Sequence, residues 1–169
     1  MSQVTLPLTG GCHCGAVRYE LNAPPWFVYA CHCTDCQRQS GSAFNMSMPA
    51  PREAFRLTSG DPARYPRTLP SGRRSTVRFC GACGTRLFSE SSETSVTIRP
   101  GTLDDTRWLK PSAQFWTRSA QGWACIEGVP SYEEQSDGFA EPVRAWRKQG
   151  VTFVTAEAAD RLAPGGEPP

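Results

Sequence analysis

At 169 residues and 18.5 kDa the chain is long enough to bury a real core in one domain without covalent staples. A net charge of +2 and a pI of about 8.2 are too mild to argue for a nucleic-acid partner, no window approaches about 18 consecutive apolar residues, and "MSQVTLPLTGG" lacks the basic and apolar regions of a secretory leader, so neither a membrane span nor a leader is expected. Eight cysteines in a chain read as cytoplasmic, where thiols stay reduced, point to metal ligands rather than disulfides.

Short alternating runs between turn signals recur along the chain, which is the pattern of strands. "AVRYEL" sets Val17, Tyr19 and Leu21 on one face against Arg18 and Glu20. After Pro24-Pro25 come "WFVYA", "AFNMSMP" and "AFRLTSG", and Ser59-Gly60-Asp61-Pro62 marks a turn. The stretch "RYPRTLPSGRRSTVR" (64–78) is the most basic, but prolines and the Pro70-Ser71-Gly72 turn interrupt it, so it reads as an exposed hairpin. "STVRFC" alternates Val77 and Phe79 with Thr76 and Arg78, and "SVTIR" repeats this with Val96 and Ile98. Beyond Pro100-Gly101, "AQFWTRS" is a further candidate. The one persuasive helix is late: in "EPVRAWRKQG", Pro142 suits a first helical position, Gly150 suits a stop, and Val143 and Trp146 make a narrow apolar stripe. The end, "LAPGGEPP" (162–169), reads as a disordered tail. The fold class is therefore mainly β, with a short C-terminal helix and a tail.

The cysteines group as "CHC" (Cys12, Cys14), "CHCTDC" (Cys31, Cys33, Cys36), "CGAC" (Cys80, Cys83) and Cys125 alone. In "FCGACGTRLF" two intervening residues let both sulfurs reach one metal, and the following glycine can take positive φ, as in a zinc knuckle. A redox C-x-x-C would open a helix, and nothing helical is expected after Cys83. Cys12 and Cys14 project to the same side of an extended chain and supply a second half-site. Cys12, Cys14, Cys80 and Cys83 then make a closed four-thiolate site. Spacing alone also permits Cys12 and Cys14 to share a metal with two of the middle three, which would leave "CGAC" without partners. Cys125, in "QGWACIEG", is expected to be a small buried apolar group. His13 and His32 lie between ligands and are expected to turn away from the metals as hydrogen-bonding neighbours. Cys31, Cys33 and Cys36 remain as three ligands with an open fourth position, the arrangement of a catalytic zinc.

With "GGCHCGAVRYE", "CHCTDCQRQSGSAF" and "FCGACGTRLF" in that order, followed by "GTLDD" and "QFWTRS", residues 9–135 resemble the family of glutathione-dependent formaldehyde-activating enzymes and centromere protein V. The resemblance implies a mainly β, Mss4-like zinc-stabilised fold. It implies two zinc ions: a structural one on Cys12, Cys14, Cys80 and Cys83, and a catalytic one on Cys31, Cys33 and Cys36. Gln37 stands where the family often has Arg, and residues 136–169 form an extension outside the resemblance.

The implied activity is that of a carbon–sulfur lyase or synthase acting on a thiol–aldehyde adduct such as S-(hydroxymethyl)glutathione. A soft open site would bind the substrate thiol as thiolate. The nearby proton-transfer candidates are His32, Asp35 and Ser40. Arg38, Arg78 and Arg86 flank the cysteine motifs and are the cations expected to offset thiolate charge or meet substrate carboxylates. The expected partner is a small thiol, glutathione among the candidates, with neither nucleic acid nor membrane involved. A different class, a non-catalytic zinc-stabilised binding module, would use Trp26, Trp108, Trp116 and Trp123 as an interaction face. Sixteen arginines against two lysines, Lys110 and Lys148, are explained most simply by codon bias.

Overall fold

Alternating burial marks the segments Arg18–Leu21, Arg74–Phe79 and Ser95–Ile98 as strands. The computed structural model describes residues 3–69, 72–136 and 138–162. In chain order the elements are β1 (Gln3–Leu6), β2 (Leu8–Gly11), β3 (Arg18–Leu21), β4 (Tyr29–Cys31), α1 (Thr34–Ser40), β5 (Asn45–Pro51), β6 (Phe55–Ser59), β7 (Ala63–Thr68), β8 (Arg74–Phe79), β9 (Arg86–Glu90), β10 (Ser95–Ile98), β11 (Ala113–Phe115), β12 (Ser131–Tyr132), α2 (Ala140–Lys148), β13 (Thr152–Thr155) and α3 (Ala156–Leu162). The molecule is mainly β with short helices, as the sequence pattern leads one to expect.

One sheet of eight strands runs β12-β11-β4-β5-β10-β9-β8-β7, a second runs β2-β3-β6, and β1 pairs with β13. The β7–β8 hairpin has Ala63 opposite Phe79 and Thr68 opposite Arg74; Pro70 and Ser71 of its predicted turn lie outside the described residues. Pro66 sits on β7, the edge strand, where a missing N–H breaks no ladder. The two larger sheets meet through aromatic contacts. Tyr19 packs on Phe55 at 5.3 Å, and Phe55 packs on Phe88 at 4.6 Å. Val17, Tyr19, Leu21, Val96 and Ile98 are all buried, as their alternation predicts.

The "GTLDD" stretch locks the first cysteine loop against this core. Tyr19 and Thr102 share a hydroxyl hydrogen bond of 2.7 Å, and Asp104 accepts from Thr9 and Arg18. Gly10 has no room for a side chain, because a Cβ there would lie 2.5 Å from the Thr102 carbonyl and from the Tyr19 hydroxyl.

Several expectations need correction. In "WFVYA" the strand begins only at Tyr29; Phe27 and Val28 are buried, but Trp26 leaves the pattern to bond its N–H to Pro49 O. α1 and α3 were not anticipated. The late helix starts at Ala140, which makes Pro142 its third residue rather than its first; a proline is tolerated there because first-turn N–H groups have no partner within the helix. Gly150, with φ +70°, follows the helix end as expected. Trp146 is buried, 6.1 Å from Trp108, and β13 covers β1 in parallel, so the extension packs onto the body of the protein. The predicted tail beyond Leu162 lies outside the described residues.

Cys125 is the clearest miss: it is exposed, not buried. The segment is a loop, which its main chain anchors to the protein. Ile126 is held at both its N–H and its carbonyl by the Gln114 amide. Only Ala124 turns inward, leaving Trp123 and Cys125 at the surface.

Candidate metal centre

Two turns build the outer cysteine group. After β2, Cys12 N–H bonds Val17 O, Gly15 N–H bonds Cys12 O, and the Val17 N–H reaches Cys12 Sγ at 3.2 Å. Between β8 and β9, Cys80 N–H bonds Thr85 O and Gly84 N–H bonds Cys80 O, with Gly84 at φ +75°. This is the knuckle its sequence predicts, flanked by a strand end at Phe79 and a strand start at Arg86. The thiols of Cys12, Cys14, Cys80 and Cys83 all lie within 4.8 Å of one another, with Cys12–Cys14 at 3.6 Å and Cys14–Cys80 at 3.7 Å. Four sulfurs about 2.3 Å from a tetrahedral zinc would be about 3.8 Å apart, so the spacing fits that ion. Thr85 Oγ1 accepts the His13 N–H and lies 3.2 Å from Cys83 Sγ, to which it is the donor once that sulfur is a thiolate. Those hydrogen bonds from Thr85, side chain first and main chain second, bring the Cys83 thiol down to about 5. His13 itself is exposed.

The middle group forms where β4 gives way to α1. Cys31 ends the strand, Cys33 caps the helix, and the Cys36 N–H donates to Cys33 Sγ at 3.4 Å. Gly41, at φ +61°, stops α1 after seven residues. The three thiols lie within 4.8 Å of one another; among the described residues no fourth Cys, His, Asp or Glu joins them. Such crowding cannot leave all three sulfurs ionised without a cation. Hydrogen bonds from the Cys31 and Cys36 thiols pull Cys33 down to about 2, and the same pairing pushes Cys31 up. A soft divalent ion would relieve that conflict, so this donor set also fits zinc.

Around this group the sequence candidates separate. His32 is fully buried, and its Nε2 meets Gln114 Oε1 at 3.2 Å. The Gln114 amide is oriented by Ile126, whose N–H uses the same oxygen while Gln114 Nε2 donates to the Ile126 carbonyl. His32 therefore carries a proton on Nε2, and burial lowers its pKa against the opposing pull of that hydrogen bond. Its carbonyl is held by Gln37 Nε2 at 2.7 Å and by Ser119 Oγ at 3.0 Å. Gln37, which stands where the family often has Arg, is thus a clamp from α1 to the "QFWTRS" segment, whose Trp116 sits at φ +61°. Ser40 is turned to the carbonyls of Cys36 and Phe44. Asp35 pairs with Arg67 at 2.6 Å.

Of the flanking arginines, Arg38 is exposed and Arg78 is bonded to Glu90 at 2.8 Å. Arg86 is the one drawn inward. Its Nε and Nη1 are buried with no acceptor among the described residues, and desolvation, reinforced by Arg99, brings it down to about 9. Arg67 and Arg99 carried no sequence signal, because a strand-end arginine gives no hint of what lies across the sheet. Trp108 is taken into the core, so Trp26, Trp108, Trp116 and Trp123 do not form one exposed face.

A solved structure of a Rhodobacter sphaeroides protein is 19% identical and covers 74% of this chain and 99% of its own length, with a TM-score of 0.49. The family model described as "Glutathione-dependent formaldehyde-activating enzyme" matches residues 7–119, a span that holds all seven clustered cysteines and leaves out Cys125. With well over half of the chain matched and both thiol groups assembled, the chain belongs to the family of glutathione-dependent formaldehyde-activating enzymes.

Proposed function

We propose that this protein is a zinc-dependent carbon–sulfur lyase or synthase acting on a thiol–aldehyde adduct such as S-(hydroxymethyl)glutathione. One observation carries the reading: the outer group has four thiols, whereas the middle group has three and, among the described residues, no fourth ligand. Cys12, Cys14, Cys80 and Cys83 would hold a structural zinc, and Cys31, Cys33 and Cys36 a catalytic one. When bound, the catalytic zinc supplies Lewis acidity that favours the thiolate of a substrate at the position no protein ligand fills.

The chain's own residues set up the rest. β4 fixes Cys31 and the first turn of α1 fixes Cys33 and Cys36, while Gln37 and Ser119 hold the connecting carbonyl of His32. In the cleavage direction the C–S electron pair goes to sulfur as the hydroxyl oxygen loses its proton and becomes the aldehyde oxygen. Synthesis runs the same atoms in reverse. His32 is sealed in and Ser40 is committed to carbonyls, so Asp35, partly exposed beside Arg67, is our candidate for moving that proton. No helix among the described residues is long and apolar enough to cross a membrane. Free thiols of this kind suit a reducing compartment such as the cytoplasm, with glutathione as the simplest partner.

Cobalt substituted for zinc gives the test, because its spectrum reports ligand type and number. Glutathione should perturb one of two cobalt signals saturably and reversibly, and the analogue with serine in place of cysteine should bind far more weakly. A spectrum indifferent to thiols would overturn the reading.

A further inference from the structure

A desolvated guanidinium without acceptors is costly, because each buried N–H has given up water for nothing. Arg67 on β7, Arg86 on β9 and Arg99 just past β10 lie around the middle thiols. The Arg67 side chain, on β7, reaches Asp35, which lies between Cys33 and Cys36. Arg99, just past β10, sends Nη1 to Ser47 Oγ and to Met46 O, and Met46 pairs with Ala30, the neighbour of Cys31. The charges of Arg99, Cys36, Arg67 and Cys33 all act on Arg86, at the start of β9, so its guanidinium lies among them.

The charges do not cancel within the protein. Asp35 answers Arg67. Three thiolates around a divalent ion leave one negative charge, which Arg99 can offset. Arg86 is then surplus in the free site and is available to a substrate's negative charge. It is also unsatisfied: its Nε and Nη1 and the Nε of Arg99 are buried with no acceptor among the described residues, and Arg99 as a whole is only 9% exposed. Two guanidiniums beside the three-thiol group therefore hold three donor nitrogens ready for an oxyanion that the described residues do not supply.

We propose that Arg86, backed by Arg99, receives a carboxylate carried by the substrate thiol and so makes this site selective for anionic thiols. This rests on the reading of the three-cysteine site given above. A guanidinium offers several donors in one plane, which suits a carboxylate better than a lone alkoxide or thiolate does.

The test is calorimetric binding of small thiols to the full zinc-loaded chain. Mercaptopropionate and mercaptoethanol differ chiefly in the carboxylate. Mercaptopropionate should bind about tenfold or more tightly, since a charge-assisted hydrogen bond is being added. Arg86→Met should collapse that preference, and Arg86→Lys should restore part of it, because the charge returns without the planar fork. If Arg86→Met does not fold, Arg86→Lys alone must narrow the preference. Equal affinity of the two thiols for the unaltered chain overturns the proposal and leaves the proposed activity standing. An equal loss of both thiols in Arg86→Met overturns it as well, since Arg86 would then be supporting the sulfur itself. Unchanged binding with slower turnover would move Arg86 to the reacting oxygen and overturn it too. If neither thiol binds, the proposed function falls and takes this inference with it.

Discussion

The Thr85 hydroxyl accepts the His13 N–H and lies within hydrogen-bond distance of Cys83 Sγ, so one small side chain ties together two cysteine turns far apart in sequence. Thr85→Val keeps the shape and removes both hydrogen bonds. It should cost about 1–2 kcal/mol and let the outer metal escape sooner in a chelation time course, with the middle metal unaffected. Cys125 makes the opposite case. Because it is exposed and lies apart from both thiol groups, Cys125→Ala should keep the full metal content and shift stability by no more than about 0.5 kcal/mol in a denaturant titration. Gly10 is constrained by space: Gly10→Ala would press its Cβ onto the Thr102 carbonyl and the Tyr19 hydroxyl, and should destabilise by about 1–3 kcal/mol.

At the level of elements, the two thiol groups close very different lengths of chain. The outer group joins the turn after β2 to the turn between β8 and β9, whereas the middle group spans only the end of β4 and the first turn of α1. A cross-link between distant segments removes far more unfolded-state freedom than one within a single turn. Cys80→Ser should therefore lower the melting temperature severely or prevent folding, while Cys36→Ser should give a folded protein without activity. Equal melting of the two variants would contradict the division. The C-terminal extension is a packing element rather than an appendage: Trp146 meets Trp108, Phe153 meets Trp108 at 5.5 Å, and β13 lies along β1. Trp146→Ala should cost about 3–5 kcal/mol, measured by thermal unfolding, with both thiol groups still able to bind metal.

For the whole molecule, two thiol groups with different surroundings predict two metals with different lability. Gently purified protein should carry two zinc ions per chain, one leaving first under mild chelation. The looser ion should be that of the middle group, which offers one ligand fewer, and Cys33→Ser should remove it. A single zinc that survives Cys33→Ser would sink the two-site account. Arg67 on β7, Arg86 on β9 and Arg99 just past β10 bring three cations to the neighbourhood of the middle thiols. The site is thus assembled across the sheet, although its thiols come from one short stretch.

Residue spacing alone was enough for the mainly β class, the knuckle at Cys80 and Cys83, and two thiol groups, because these features are local: a turn of two residues decides whether two sulfurs can meet, and alternation decides which face is buried. It left open which half-site pairs with which, and only the fold brings Cys14 to 3.7 Å from Cys80. The fold also moved Cys125 to the surface, packed the extension onto the body, and singled out Arg86 from Arg38 and Arg78. Those outcomes depend on strand register and on main-chain anchoring between residues dozens of positions apart. No local pattern encodes them, because the partner that satisfies or strands a guanidinium is chosen by the neighbouring strands.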